Sequence, residues 1–242
     1  MHQFFTDTPL EEGGTYIFTK EQAHHARDVA RLDHETIRLV HEGRAFFAIP
    51  EQQDGQYIAK ILKEDTSVHE TPVHTILALA LIRREKFELV LQKAAELGAD
   101  EIIPFISERC VVQKKKEKED RQKERWNTIL KEASQQCKRN VIPAVSSIMD
   151  FKELKNINAD LKLLAYEKRD ERTPYVSELL EENIGSVILV IGPEGGFTEK
   201  EAEELISSGF DEVSLGSRIL RAETAAMYGL SVIAETAERR QS

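Results

Sequence analysis

Hydrophobic and polar positions follow two different rhythms along this chain, and the rhythm changes near residue 72. Before that point apolar residues come in short stretches with a period of two. Thr15 to Phe18, Thr36 to Val40, Ala45 to Ile49 and Gln56 to Leu62 read as strands. Glu42-Gly43 and Asp54-Gly55 stand where tight hairpins need residues that tolerate a left-handed backbone. Thr19-Lys20-Glu21-Gln22 opens a short helix with a capping box, because a threonine hydroxyl and a glutamine three residues on can satisfy each other's backbone amides. Short strands at this spacing predict a small barrel over residues 1–72.

From Val73 onward long apolar runs alternate with helical periods. Val73 to Ile82, Glu101 to Ser107, Leu161 to Tyr166, Val187 to Ile191 and Glu212 to Leu215 read as strands. Glu85 to Leu97, Lys114 to Arg139, Tyr175 to Glu181, Glu199 to Ser208 and Glu223 to Glu238 read as helices. In the first of these, Phe87, Val90, Leu91, Ala94 and Leu97 share one face, and Gly98 stands at the C-terminal cap. Strand–helix alternation predicts an α/β domain with a parallel sheet over residues 73–242. Pro104 inside its strand predicts a bulge or an edge. On Glu223 to Glu238 the face of Ala225, Leu230, Ile233 and Ala234 reads as one that a second copy would cover.

Composition narrows the class. The 242 residues carry a net charge of −10, with two cysteines and no disulfide or metal-ligand spacing. No run approaches the roughly 20 apolar residues of a membrane span, and the N-terminus has no signal-like core, so the expectation is a cytoplasmic protein with no membrane and no metal. The charge is unevenly spread. Residues 1–74 hold 7 basic and 13 acidic groups, residues 75–140 hold 15 and 11, and residues 141–242 hold 11 and 19. All seven histidines lie at or before His74. Binding of a polyanion depends on the local patch, so an acidic total leaves a nucleic-acid partner open. The Lys114 to Asp120 run reads as a solvated loop or helix start, or as a phosphate-contacting patch.

Two loops carry candidate chemistry. Ile191-Gly192-Pro193-Glu194-Gly195-Gly196-Phe197 follows an apolar strand and precedes Thr198-Glu199-Lys200-Glu201, a second capping box. It fits neither the G-x-G-x-x-G fingerprint nor a P-loop. Three glycines and a proline fix an unusual backbone path that can offer main-chain groups to a ligand, although a Gly-Pro turn can also be mere connection. Leu215 to Ala226 also runs from strand to helix, and it crowds Arg218, Arg221 and Glu223 into the turn.

These two loops resemble the signature motifs of the ribosomal RNA small subunit methyltransferase E family. Glu96-Leu97-Gly98, Ile103-Pro104, Ser107-Glu108-Arg109, Arg125-Trp126, Glu132-Ala133 with Gln136 and Arg139, and His25, Val29 and Arg31 resemble it in the same order. The family commonly has an arginine in the first few residues and Val-Leu-Arg before a glycine; here stand His2-Gln3 and Val29-Ala30-Arg31. The resemblance implies a SPOUT-type α/β domain whose C-terminal segment threads a trefoil knot, preceded by a PUA-like barrel. It implies S-adenosylmethionine as donor, the N3 atom of a uridine in 16S rRNA of the small ribosomal subunit as acceptor, and a homodimer. Knots are otherwise rare enough that pattern alone argues against one.

The family's loops would place the donor against Gly192, Pro193, Glu194, Gly195, Gly196, Leu215, Gly216, Ile219, Leu220 and Thr224. Transfer to N3 needs a carboxylate to take the N3 proton and a cation to stabilise the charge on the ring oxygens. Glu194 and Glu223 are candidate bases and Arg221 the candidate stabiliser, with a structural Arg221–Glu223 ion pair as the plainer reading. His24, Arg27 and Arg31, counted at 3.6 residues per turn, project together as an RNA-contacting set. Arg109, Arg125, Gln136 and Arg139 lie in the basic third, with Gln136 and Arg139 on one helix face. A non-catalytic RNA-binding or ribosome-assembly protein on the same fold is the competing reading, and two intact loops favour the enzyme.

Overall fold

The structure, a computed structural model, describes residues 1–32, 34–112, 119–166 and 172–241. The chain divides into two compact units, residues 1–70 with 134–141, and residues 71–133 with 142–242.

The first unit holds a five-stranded sheet of β1 (Gln3–Phe5), β2 (Thr15–Ile17), β3 (Ile37–His41), β4 (Arg44–Gln53) and β5 (Gln56–Asp65), in the order β1-β3-β4-β5-β2. β1 pairs parallel with β3 and the other pairs are antiparallel. β1 was not expected, since three residues carry no readable period. Both hairpin turns take the left-handed pair, with Glu42 and Gly43 at φ 45° and 82° and Asp54 and Gly55 at 48° and 78°. Phe4, Tyr16, Phe18 and Tyr57 form the aromatic centre of this unit's core. Thr19 and Gln22 close the capping box on α1 (Lys20–His24). The helix then widens into a π-helical turn, His25–Val29, and Arg31 leaves it at φ 52°.

A buried arginine explains why residues 134–141 belong here and not with 73–242. Arg38 is wholly buried, and its guanidinium donates to Asp65, to Gln3 Oε1, to the Lys138 carbonyl and to Asn140 Oδ1. Gln3 in turn donates to the Arg139 carbonyl at 2.7 Å, and Arg139 pairs with Glu70 at 2.6 Å. A buried guanidinium needs every N–H satisfied, and these distant residues supply the acceptors.

The second unit is built on β6 (His74–Ala80), β7 (Glu101–Ile106), β8 (Ala144–Val145), β9 (Met149–Asp150), β10 (Leu161–Ala165), β11 (Ser186–Ile191) and β12 (Asp211–Val213). All pairs are parallel, in the order β12-β10-β11-β6-β7-β8, with β9 also on β7. Alternate strand residues serve opposite faces. Leu77, Leu79, Leu163 and Leu189 pack under α2 (Arg84–Glu96), α3 (Glu119–Cys137), α4 (Val176–Leu179) and α6 (Ala222–Gln241). Ile76, Ala78, Ile188 and Val190 pack against Ala202 and Leu205 of α5 (Glu199–Ile206).

Pro104 sits inside the sheet, not at an edge. The Phe105 carbonyl accepts from Leu81 N on the β6 side, while the Ile102 carbonyl accepts from Ser146 N on the other. By alternation the Pro104 nitrogen points to that other side, between the short strands β8 and β9, where no ladder bond is called for.

Two further expectations change. The long helix ends at Cys137, short of the expected Arg139, and of its expected start Lys114–Lys118 lie outside the described residues. Of the α6 face expected to need a second copy, Ala225, Leu230 and Ile233 are buried in this chain's own core and Ala234 is half-buried, so most of that face is covered without a partner.

Candidate functional site: a two-loop pocket at the strand ends

Both loops leave the C-terminal ends of parallel strands, β11 and β12, which flank β10 in the sheet, and open α/β sheets gather ligands at such strand ends. At the first, Gly196 adopts φ 67° and its amide closes a turn onto the Pro193 carbonyl at 2.9 Å. Phe197 is buried and stacks parallel to Phe105, with ring centroids 6.2 Å apart. A Cβ on Gly192 would fall 2.9 Å from the Phe197 ring, so the strand end can pass this ring only as glycine. Arg109 straps the loop from outside, donating to the Gly195 carbonyl at 3.1 Å and the Phe197 carbonyl at 3.3 Å. Thr198 and Glu201 form the second capping box, and the buried Glu201 also accepts from the Glu108 amide at 2.8 Å. The second loop turns at Gly216, φ 106°, a backbone open in practice to glycine alone.

Between the loops lies a pocket. Its walls are Ala165 and Tyr166 from the end of β10, Ile191, Gly192, Pro193, Gly196 and Phe197 from the first loop, and Val213 and Leu215 to Leu220 from the second; Ala222 and Ala225 close it. Of the residues expected to meet a cofactor, Gly192, Pro193, Gly196, Leu215, Gly216, Ile219 and Leu220 line it. Glu194, Gly195 and Thr224 do not. Gly195 lies beneath Arg109, and Thr224 is exposed on α6.

The expected catalytic carboxylates converge beside the pocket on a residue the sequence reading did not single out. Lys86 Nζ lies 3.1 Å from Glu223 Oε1 and 3.8 Å from Glu194 Oε1. Glu194 also accepts from the Arg83 amide at 3.5 Å. Glu223 pairs with Lys86 in place of the expected Arg221, and its Oε2 is buried with no hydrogen-bond partner among the described residues. Burial opposes ionisation of Glu223, but its own backbone amide, Lys86 and Arg221 outweigh it and hold the carboxyl below the ordinary range. Nothing local in Arg83-Arg84-Glu85-Lys86 distinguishes Lys86 from an ordinary first-turn residue.

The expected RNA contacts fare unevenly. His24 Nδ1 and the Arg27 guanidinium both grip Asp28, at 2.7 and 2.9 Å, and draw its carboxyl down to about 2. The π turn and the left-handed Arg31 break the 3.6-residue count, so Arg31 does not continue their face. Arg125 is exposed but bidentate with Glu88, whose pKa it lowers to about 2 together with Arg84. Gln136 is exposed and Arg139 buried at 2%. α3 ends at Cys137, and Lys138, at φ 71°, turns Arg139 inward towards Glu70. Arg139 therefore cannot meet RNA.

A family model for the RNA methyltransferase domain matches residues 69–234. The ribosomal RNA small subunit methyltransferase E of Bacillus subtilis is 32% identical, over 98% of both chains. The chain belongs to this family. The Mesomycoplasma hyopneumoniae member is 31% identical, over 96% of this chain and 98% of its own. Among solved structures, the family member of Neisseria gonorrhoeae, bound to S-adenosyl methionine, superposes with a TM-score of 0.84 at 30% identity, over 96% of each chain.

Proposed function

We propose that this protein methylates the N3 atom of a uridine in 16S rRNA of the small ribosomal subunit, with S-adenosylmethionine as donor. The observation that carries the reading is the pocket enclosed by both family loops at the ends of β10, β11 and β12. Its fit to the donor is physical. Ile191, Phe197 and Leu220 give apolar walls suited to a purine, and the glycine turns at 192, 196 and 216 bring main chain to the surface without side-chain cover.

The donor supplies an electrophilic methyl group on a sulfonium. The chain's task is to align an acceptor with it and to handle one proton. The N3–H proton passes to a carboxylate as the N3–methyl bond forms and the sulfur–methyl bond breaks. Glu223 suits this role because it stays ionised at neutral pH, and its position between Ala222 and Ala225 puts it beside the pocket wall. Arg221, exposed and electrostatically coupled to Glu223, offers a cation for charge spreading to the uracil oxygens.

The same reading includes a trefoil knot formed by the Leu215–Arg221 loop and α6, a PUA-like RNA-binding barrel in the first unit, a cytoplasmic setting and a homodimer. Support for the dimer comes from the outer side of α6, where the half-exposed Tyr228 lines a groove with Val232 and the half-exposed Tyr175. No described helix is long and apolar enough to cross a membrane.

Two measurements test the proposal. Calorimetry should detect S-adenosylmethionine binding to the folded protein. Mass spectrometry should find N3-methyluridine in small-subunit rRNA from cells that have the protein and lose it from cells that do not. Donor binding without that nucleoside overturns the substrate assignment; no donor binding leaves a non-catalytic RNA-binding protein.

A further inference from the structure

Three segments far apart in the chain meet at one ammonium group. Lys86 comes from the first turn of α2, Glu194 from the loop after β11 and Glu223 from the first turn of α6. The Lys86 side chain is 30% exposed, that of Glu194 27% and that of Glu223 12%, so the group is only partly screened by water. Two carboxylates brought this close repel, and the buried one also loses hydration. A single lysine between them offsets both effects and, through them, fixes the first loop to the start of the helix that follows the second.

We propose that Lys86 is the positioning residue of this site: its ammonium, in contact with both carboxylates, holds Glu194 and Glu223 in register and so locks the two pocket loops together. The role is one of alignment and charge. The charged groups acting on Glu223 are Lys86 from α2 and Arg221 from the segment before α6, while Glu194 from the first loop shares the Lys86 ammonium. Arg221 is exposed, so its field is weakened by solvent and cannot substitute for a direct contact at 3.1 Å. Replacing Lys86 by a neutral side chain leaves a buried carboxylate without its nearest cation, and proton uptake is the cheapest relief.

The activity arm of the test rests on the methyltransferase reading above; the titration arm does not. In protein labelled with carbon-13 at the glutamate carboxyl carbon, the Glu223 resonance is assigned by its loss in Glu223→Gln. Lys86→Met should move the Glu223 midpoint upward, and Lys86→Arg should restore it. Glu194→Gln, which removes the competing carboxylate, should move it downward. These opposite signs separate a charge effect from general loosening, and the Glu194 variant decides the matter if Lys86→Met does not fold. An unmoved Glu223 midpoint in Lys86→Met, or in Glu194→Gln if that is the variant in hand, overturns the proposal. In methylation assays on small subunits, Lys86→Met should lose several-fold more kcat/KM at about pH 6 than at about pH 8.5, because the acid limb reports the base. An equal loss at both pH values makes Lys86 merely structural. If the parent methylates nothing, the functional reading fails while the titration still decides the role of Lys86.

Discussion

Asp65→Asn isolates the ion pair at the centre of the first unit. Asp65 is 8% exposed and Arg38 not at all, with Arg38 Nε donating to Asp65 Oδ2 at 2.7 Å. Burial pushes the Asp65 carboxyl up, but Arg38 and Ser67 overcome it and hold it at about 2, against an ordinary 3.8. A depression of that size corresponds to about 2 kcal/mol of stability at neutral pH. Asparagine keeps the shape and removes the charge, leaving Arg38 with only neutral acceptors on Gln3, Lys138 and Asn140. The loss should be about 2–4 kcal/mol, as expected when one partner of a buried pair is removed. Urea unfolding followed by far-ultraviolet circular dichroism measures it, with Trp126, the one tryptophan, reporting on the second unit. The pH dependence has a definite sign. A depressed carboxyl stabilises above its unfolded pKa and loses that increment as pH falls from about 4 towards about 2. The gap between parent and variant should therefore close over that window. A gap below about 0.5 kcal/mol at neutral pH, or one unchanged below about pH 2, refutes the reasoning.

Three more outcomes follow from the site. Gly216→Val places a β-branched residue at φ 106° and should weaken S-adenosylmethionine binding at least about tenfold by calorimetry, with the fold retained by circular dichroism. Arg109→Ala removes the strap on the Gly195 and Phe197 carbonyls, and should raise the donor Kd several-fold and speed amide exchange in the first loop. Arg27→Ala combined with Arg31→Ala should leave donor affinity unchanged and flatten the salt dependence of small-subunit binding by about one or two phosphate contacts; an unchanged slope assigns that binding to another surface.

The sequence was most legible where local physics suffices. β6 and β11 read as continuous apolar runs and β10 as one interrupted only by Lys162, and both hairpins are announced by an acidic residue before glycine. The capping boxes at Thr19 and Thr198 formed as spaced. What was hidden depends on partners distant in sequence. Arg139 looks like a surface arginine in a basic stretch, and only Glu70, 69 positions earlier, shows that it turns inward. Lys86 opens a charged helix and acquires meaning only when Glu194 and Glu223 arrive beside it. Gly195 looked equivalent to its neighbours, yet the loop's path aims it at Arg109 and away from the pocket.

The return of residues 134–141 to the first unit sets an order of events during synthesis. Once Glu70 has emerged, every strand of the five-stranded sheet exists, but the carbonyl of Lys138 and the side chain of Asn140 that complete the shell around Arg38 do not. The first unit must wait for residue 141, at about 5–20 residues per second a pause of several seconds, while β6, α2, β7 and α3 are made as an insertion between its parts. A fragment ending at residue 72 would reproduce that unfinished state permanently, with a buried guanidinium short of two acceptors. Truncation at the apparent boundary of the hydrophobic pattern would therefore yield a protein that melts early, although its sheet is whole.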